Sequence, residues 1–306
     1  MSILLSGDFH ANERSEIEYI SKKRLEKDYI QEQIDSIKYH IMLGDLGIGK
    51  PDKNKRDKDN YKNLTYRPFP ILCVMGDDDP LLEMGKYTEE DIGLGESVLK
   101  ISERTSDTPY IAYLKRGKVY HIEGIKFLVL GGALTIDNKT RKMSEKNHDK
   151  AFWSTKERED LFKLLENENQ FDFVISHTGT KYNNSYLHRK YSLNDEYDYD
   201  LTNVFNDEVD KKIQYIEWFC GHLHFDAYLH DYKNDLGYEY LYRRTIILDK
   251  IGDTIEQHYK DRITTKLKIE RYNCTESESY DYLKHQEQAP VSKEEVKKYK
   301  NRSKGI

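Results

Sequence analysis

The chain has 306 residues and a formal net charge of −6, and charged residues make up 34% of it. No apolar run approaches the roughly 18–20 residues that a membrane-spanning helix needs, so we expect no membrane partner. The negative charge argues against general coating of nucleic acids. Three cysteines are too few for a disulfide framework, and the N-terminus turns polar too early for a secretory signal. We therefore expect a cytoplasmic protein.

The first part of the chain repeats one pattern, a short apolar run that ends in Gly-Asp. Such runs predict buried strands, each delivering polar side chains at its carboxyl end. Residues 13–38 carry apolar side chains at helical spacing, which predicts a helix within a βαβ unit. The runs are Ile3–Ser6, His40–Leu43 and Phe69–Met75.

The rest of the chain predicts a second set of strands and one capped helix. Lys118–His121 and Lys126–Leu130 predict a strand pair around Gly124. Ser154 and Glu157 form a capping-box pattern, which predicts the start of a helix. Four further strands are predicted at Phe171–Ser176, Tyr215–Cys220, Ala227–Tyr232 and Tyr238–Leu248.

Two charged segments interrupt these elements and are expected to be solvated inserts. Lys50–Arg67 carries seven Lys or Arg against three Asp, a charge of +4. His188–Asp210 carries seven acidic residues against two basic ones, a charge of −5. Such runs favour exposed loops. We expect one large domain over residues 1–260 that contains both inserts, followed by a polar appendage or tail over residues 261–306.

Carboxylates and imidazoles follow most of the predicted strands. Because residues i and i+2 of a strand point the same way, Asp8-x-His10 and His222-x-His224 each offer two metal ligands. Divalent ions such as Mn, Fe and Zn bind these groups. One such pair is common by chance, whereas the whole ordered set predicts a divalent-metal site. Its members are Asp8, His10, Asp45, Asp77, Asp78, Asp79, His177, His222 and His224.

The order of these residues resembles the calcineurin-like metallophosphoesterase family, whose pattern reads D-x-H, G-D-x-x-[DN], G-N-H-[DE], a lone H and G-H-x-H. The resemblance spans roughly residues 1–250. It implies an α+β fold, a four-layer α/β/β/α sandwich of two sheets flanked by helices. The stretch Leu130–Asn138, with Arg141 and Trp153, is also similar to a signature of bacterial and phage members.

The resemblance also implies two divalent metal ions, manganese first, with iron or zinc as alternatives. One ion is expected at Asp8, His10, Asp45 and His224. The other is expected at Asp45, Asp77, His177 and His222, with Asp45 bridging. The catalytic roles fall on Asp78, His177 and His222. Arg141 is a candidate contact for substrate phosphate, and a structural salt bridge is its alternative role.

The third motif departs from the family pattern, since Gly76-Asp77-Asp78-Asp79 stands in place of G-N-H-[DE]. With Asp77, three carboxylates face two divalent ions and leave a site charge of +1, where two would leave +2. The third carboxylate should make metal ions bind more tightly, and it should reduce the attraction of a dianionic monoester to the site. Asp78 replaces a His that protonates the leaving group, which disfavours alkyl monoesters. His188 is a candidate replacement acid or substrate contact by its position.

These features predict a two-metal phosphoesterase that works through a metal-activated hydroxide, with residues 1–260 as the catalytic domain. A phosphodiesterase acting on a nucleotide or a nucleic-acid end is the leading hypothesis. The basic segment Lys50–Arg67 lies between two motifs and suits a polyanionic substrate. The alternatives are a phosphomonoesterase acting on a protein or a nucleotide, and a degenerate scaffold of the same fold that docks protein partners.

Overall fold

The computed structural model describes residues 2–7, 25–27, 29–46, 69–77, 79, 87–101, 109–133, 153–191, 201–231, 236–242, 244–249, 268–272 and 279–281. Within these ranges the chain forms two β-sheets and a set of flanking helices. None of the helices described is long and apolar enough to cross a membrane.

The helices and strands of the described residues have the following bounds. The helices are α1 (Gln31–Ser36), α2 (Thr155–Leu165), α3 (Lys181–Tyr191) and α4 (Leu201–Asp210). The strands are β1 (Ser2–Ser6), β2 (Ile37–Met42), β3 (Ile71–Cys73), β4 (Tyr87–Glu90), β5 (Val98–Ile101), β6 (Ile111–Tyr113), β7 (Lys118–Ile122), β8 (Ile125–Leu130), β9 (Phe173–Ser176), β10 (Glu217–Cys220), β11 (Ala227–Asp231), β12 (Leu236–Tyr240), β13 (Thr245–Asp249), β14 (Lys268–Tyr272) and β15 (Ser279–Asp281).

Both sheets are mixed, and each has a parallel centre. The first sheet has the strand order β14-β13-β1-β2-β3-β6-β5-β4, in which β1, β2, β3 and β6 pair in parallel. The second has the order β15-β11-β12-β10-β9-β8-β7, in which β8, β9, β10 and β12 pair in parallel. The carboxyl ends of the parallel strands therefore lie along one edge of each sheet.

The two sheets pack face to face around a shared apolar core, in which Leu72 of the first sheet and Phe173 of the second belong to one cluster. The outer face of the second sheet is covered by α2 and α4 through Leu161 and Phe205, together with α3. On the outer face of the first sheet, Ile34 of α1 joins a smaller cluster. The predicted four-layer α/β/β/α sandwich is confirmed.

The prediction of one strand over Tyr238–Leu248 is wrong. The chain leaves the second sheet after Tyr240 and enters the first sheet at Thr245. Residues 241–244 are therefore a crossover between the two sheets. Leu241 is buried in the core between the sheets, so the apolar pattern continues through the crossover and conceals it.

Two other expectations differ from the structure. Of the helix predicted over residues 13–38, the structure describes helix at residues 25–27 and at Gln31–Ser36, and β2 already begins at Ile37; residues 13–24 lie outside the described ranges. In the acidic segment, residues 188–191 end α3 and residues 201–210 form α4, so these parts are helix rather than solvated loop.

The basic segment Lys50–Arg67 lies outside the described residues. In the predicted tail, β14 and β15 are edge strands.

Candidate metal centre

Four candidate ligands follow the carboxyl ends of central strands. Asp45 lies beyond β2 and Asp77 beyond β3 in the first sheet, while His177 follows β9 and His222 follows β10 in the second. The parallel strands of each sheet deliver their polar side chains to one edge. Face-to-face packing of the sheets then brings the two pairs together.

Asp77, His177 and His222 form a compact cluster. The Nε2 atom of His177 lies 3.0 Å from Oδ1 of Asp77 and 3.1 Å from Nδ1 of His222. The Nδ1 atom of His222 lies 3.5 Å from the same Asp77 oxygen. Asp45 borders the cluster, with its Oδ2 atom 3.7 Å from Nε2 of His177. All four side chains are at most 7% exposed, so protein groups have largely replaced water around them.

A backbone carbonyl determines which nitrogen of His177 carries a proton. The Nδ1 atom lies 2.9 Å from the carbonyl oxygen of Leu43, which follows β2. Because a carbonyl oxygen only accepts, Nδ1 is the donor, and in the neutral ring Nε2 keeps its lone pair. This lone pair is on the side of the ring that faces Asp77 and His222. Histidines that bind metals are commonly oriented in this way through their second nitrogen.

The cluster has the spacing of ligands that share one ion. Ligand atoms about 2.0–2.2 Å from an ion, at angles of about 90–109°, lie about 2.8–3.6 Å apart. The three observed separations of 3.0, 3.1 and 3.5 Å fall within this range. One carboxylate and two imidazoles also suit Mn, Fe or Zn. The side chains of the cluster therefore fit a divalent metal ion.

Two glycines allow the loops of the site to approach each other. Gly44 has φ of +97°, and a Cβ atom at this position would overlap the imidazole of His177. A Cβ atom at Gly76 would overlap the Asp45 carboxylate. Glycine is therefore required ahead of both acidic residues, which explains the Gly-Asp pairs of the sequence.

Strained backbone is concentrated in the site. Among the described residues, four other than glycine have positive φ, and three of them are Asp45 at +43°, His222 at +65° and His224 at +48°. The fourth, Glu123, lies in the turn between β7 and β8. Such conformations cost about 1–3 kcal/mol each and persist only where their surroundings hold them. Their placement is typical of a functional site.

Asp79 joins the loops that carry Asp45 and Asp77. Its Oδ1 atom accepts hydrogen bonds from the backbone N–H of Leu46 at 2.8 Å and the hydroxyl of Tyr113 at 3.1 Å. Its Oδ2 atom accepts from the backbone N–H of Gly76 at 2.7 Å. Burial raises the pKa of the Asp79 carboxyl, although these hydrogen bonds oppose the rise.

The pKa of Asp77 moves the other way. Burial by itself would raise the pKa of the Asp77 carboxyl, but His177 and His222 in their protonated forms donate hydrogen bonds to it and carry positive charge, and these effects outweigh burial. The pKa of Asp77 is therefore held well below its usual range. An ionised carboxylate at neutral pH is the form that binds a metal ion.

A buried polar network fixes the turn that follows His177. The hydroxyl of Thr178 donates to Oδ1 of Asn203 at 2.7 Å. The side-chain amide of Asn206 donates to the carbonyl oxygens of Thr178 at 2.9 Å and Gly179 at 3.0 Å. Both asparagines belong to α4, so the acidic segment contributes directly to the position of His177.

The remaining candidates fall into two groups. His224 lies on the same turn as His222, with its ring against Tyr242, and His188 is buried within α3. The other candidates lie outside the described residues: Asp8, His10, Asp78 and Arg141. Sequence reasoning missed the contributions of Tyr242 and of the two asparagines of α4.

Comparison with known proteins gives distant structural likenesses. Neither a protein-family profile nor a curated protein sequence matches the chain. Among solved structures, the chain is similar to GAP50, the anchor in the inner membrane complex of Plasmodium, at 14% identity over 79% of this chain and 71% of that chain, with a TM-score of 0.41. It is similar to a dimetal phosphatase from Danio rerio at 11% identity over 81% of this chain and 94% of that chain, with a TM-score of 0.44. It is similar to the phosphopantetheinyl hydrolase of Mycobacterium tuberculosis at 9% identity over 88% of this chain and 95% of that chain, with a TM-score of 0.34.

Proposed function

We propose that the chain is a metal-dependent phosphoesterase whose site is built on Asp45, Asp77, His177 and His222. The observation that carries the proposal is the convergence of one carboxylate oxygen and two imidazole nitrogens within 3.5 Å of one another. Buried polar groups are costly unless each has a partner. A divalent cation is a single partner that satisfies all three.

The proposed ligands come from both sheets. Asp77, His177 and His222 would hold one ion and Asp45 would be shared, while Asp8, His10 and His224 would complete a second site. When bound, such ions, Mn²⁺ in the first place, activate water and neutralise charge on the phosphoryl oxygens.

The residues of the site are prepared to bind cations rather than to donate protons. The Leu43 carbonyl keeps a proton on Nδ1 of His177, so the neutral ring presents a lone pair from Nε2. Asp77 is ionised at neutral pH. Neither group can protonate a leaving group in these states, and Asp78 stands where related enzymes place the proton-donating His. Esters with stable leaving groups, which depart without a proton, are therefore the favoured substrates.

We infer that the physiological substrate is a phosphodiester of a nucleotide or of a nucleic-acid end. The charge of +4 over Lys50–Arg67, between the Asp45 and Asp77 motifs, supports a polyanionic substrate. The formal site charge of +1 supports a monoanionic diester over a dianionic monoester.

The experiment compares Mn²⁺-dependent turnover of bis(p-nitrophenyl) phosphate, a diester, with that of p-nitrophenyl phosphate, a monoester. Asp45→Asn removes one carboxylate from the site. Asp172→Asn is the matched control, because Asp172 is also buried and lies at the opposite end of β9, where it accepts a hydrogen bond from the N–H of Lys126 at 2.7 Å. We expect diester turnover above monoester turnover, a loss of about 100-fold or more in Asp45→Asn, and retention in Asp172→Asn.

Three outcomes count against parts of this proposal. Faster turnover of the monoester would replace the diesterase with a phosphomonoesterase. Equal activity in Asp45→Asn and the native chain would place the reaction elsewhere. Mn²⁺ binding without turnover of either ester would overturn the enzymatic proposal and favour the scaffold.

A further inference from the structure

The crossover between the sheets, residues 241–244, lies beside the turn that carries His222 and His224. The N–H of Leu241 donates to the carbonyl oxygen of Cys220 at 2.8 Å, at the end of β10. A Cβ atom at Gly7 would overlap the carbonyl of Leu241, so the end of β1 also touches the crossover. The crossover therefore contacts two of the strand ends from which the proposed ligands emerge.

Asp226 holds the crossover against this turn. Its Oδ1 atom accepts hydrogen bonds from the backbone N–H of Tyr242 at 2.8 Å and of Arg244 at 3.2 Å. Arg244 also forms a buried ion pair with Glu239 of β12. Together with the bond from Leu241, these contacts hold the crossover on either side of Tyr242 and at the backbone of Tyr242 itself.

The ring of Tyr242 lies flat against the imidazole of His224. The two ring centroids are 5.0 Å apart, and the ring planes differ by only 10°. A second aromatic plane in this position opposes rotation of the imidazole about its bond to Cβ. Tyr242 is partly exposed, so its packing supports the site more than the core.

The backbone of His224 needs such support. Its φ of +48° and the +65° of His222 place two strained residues in one short turn. Strain of this kind persists only where neighbouring groups hold it. Within the described residues, the stacked ring of Tyr242 and the hydrogen bonds to Asp226 both help to keep this turn in its conformation.

We propose that Tyr242 is a positioning residue for His224, a candidate metal ligand, because its stacked ring holds the imidazole in one orientation. This inference rests on the proposed function to the extent that the site binds metal, and it does not depend on which ester is hydrolysed. Tyr242 touches the imidazole rather than the ion. Supporting groups of this kind commonly change metal affinity 10–100-fold.

The test is Mn²⁺ binding by the purified full chain, measured by calorimetry and by the EPR signal of free Mn²⁺. Tyr242→Phe keeps the ring, Tyr242→Leu removes it, and Tyr182→Leu at an exposed tyrosine of α3 is the matched control. We expect Tyr242→Leu to weaken the second binding event about tenfold, and Tyr242→Phe and Tyr182→Leu to bind as the native chain does. If Tyr242→Leu does not fold, Tyr242→Met tests the same loss of a flat ring at similar volume.

A double-mutant cycle distinguishes positioning from a general loss of structure. In a His224→Ala background, Tyr242→Leu should have no further effect on Mn²⁺ affinity, because the ring that it orients is gone. An unchanged affinity in the single variant, an equal loss in Tyr242→Phe, or an additive loss in the double variant would overturn the inference. Metal binding without ester turnover would reject the proposed function and leave this inference standing. A native chain that binds no Mn²⁺ would overturn both.

Discussion

The Asp79 carboxylate offers a sharp test of how the two acidic loops are held together. Asp79→Asn keeps the shape of the side chain, but one oxygen becomes an NH₂ group that cannot accept. If the amide oxygen keeps its bonds to Leu46 and Tyr113, the NH₂ group faces the N–H of Gly76 in a buried place. Loss of one hydrogen bond to a charged group costs about 1.5–3 kcal/mol, and the two opposed donors add to that.

The matched variant is Tyr113→Phe, which removes one hydrogen bond to Asp79 and leaves both backbone bonds in place. We expect Tyr113→Phe to lower the free energy of unfolding by about 1.5–3 kcal/mol, the contribution of one hydrogen bond to a charged group, without changing Mn²⁺ affinity. Asp79→Asn should weaken Mn²⁺ binding about tenfold as well, because the loops of Asp45 and Asp77 lose their common acceptor.

Urea unfolding and Mn²⁺ calorimetry on the three proteins measure both quantities. Native Mn²⁺ affinity in Asp79→Asn would refute the argument, because the loops would then keep their positions without a shared acceptor. Equal weakening of Mn²⁺ affinity by Tyr113→Phe would also refute it, because that variant leaves the link between the loops intact.

Three further predictions concern the site and its surroundings. Gly44→Ala should lose more stability and more Mn²⁺ affinity than Gly93→Ala, because both glycines have positive φ but a Cβ atom at Gly93 meets nothing within 4 Å; equal losses in urea unfolding would show that the overlap with His177 is relieved. Burial raises the pKa of Glu157, but hydrogen bonds and charge from its Arg116 partner outweigh it and hold the pKa below its usual value. The contribution of ionised Glu157 to the free energy of unfolding is therefore present above about pH 4.3 and is lost as the pH falls through the lowered pKa. The loss of stability caused by Glu157→Gln at pH 7 should therefore become smaller near pH 3. A loss that is the same at both pH values would contradict this sign. Chelation with EDTA should lower the melting temperature of the native chain, and Mn²⁺ at 100 times its Kd should restore about 2.7 kcal/mol, whereas Asp77→Ala should respond weakly to both.

The candidate ligands were predictable because each one follows an apolar run that forms a buried strand. Asp45, Asp77, His177 and His222 lie just beyond β2, β3, β9 and β10, as the local pattern indicates. The pattern does not show which strands share an edge, and the four strands are divided between two sheets, two in each. Their convergence depends on packing between the sheets, and only the resemblance in motif order indicated it.

The crossover at residues 241–244 was not predictable for a different reason. Leu241 is buried, and Arg244 is buried in an ion pair with Glu239, so the segment has the buried character of a strand interior. Local periodicity reports burial and cannot report a change of sheet. The polar network of α4 was obscured in a similar way, because the charge of −5 over residues 188–210 favours a loop while Phe205 and Val209, four residues apart, face the core.

The division of ligands between the sheets has a consequence for stability. Asp45 and Asp77 extend from the first sheet and His177 and His222 from the second, and Leu43 already links the two through its bond to His177. A metal ion held by this set would join the sheets directly, since neither sheet supplies the whole set. Metal binding should therefore stabilise the packing of one sheet on the other more than the pairing of strands within either sheet. Hydrogen exchange with and without Mn²⁺ should show the largest added protection in the loops after β2, β3, β9 and β10, and protection confined to one sheet would contradict a shared site.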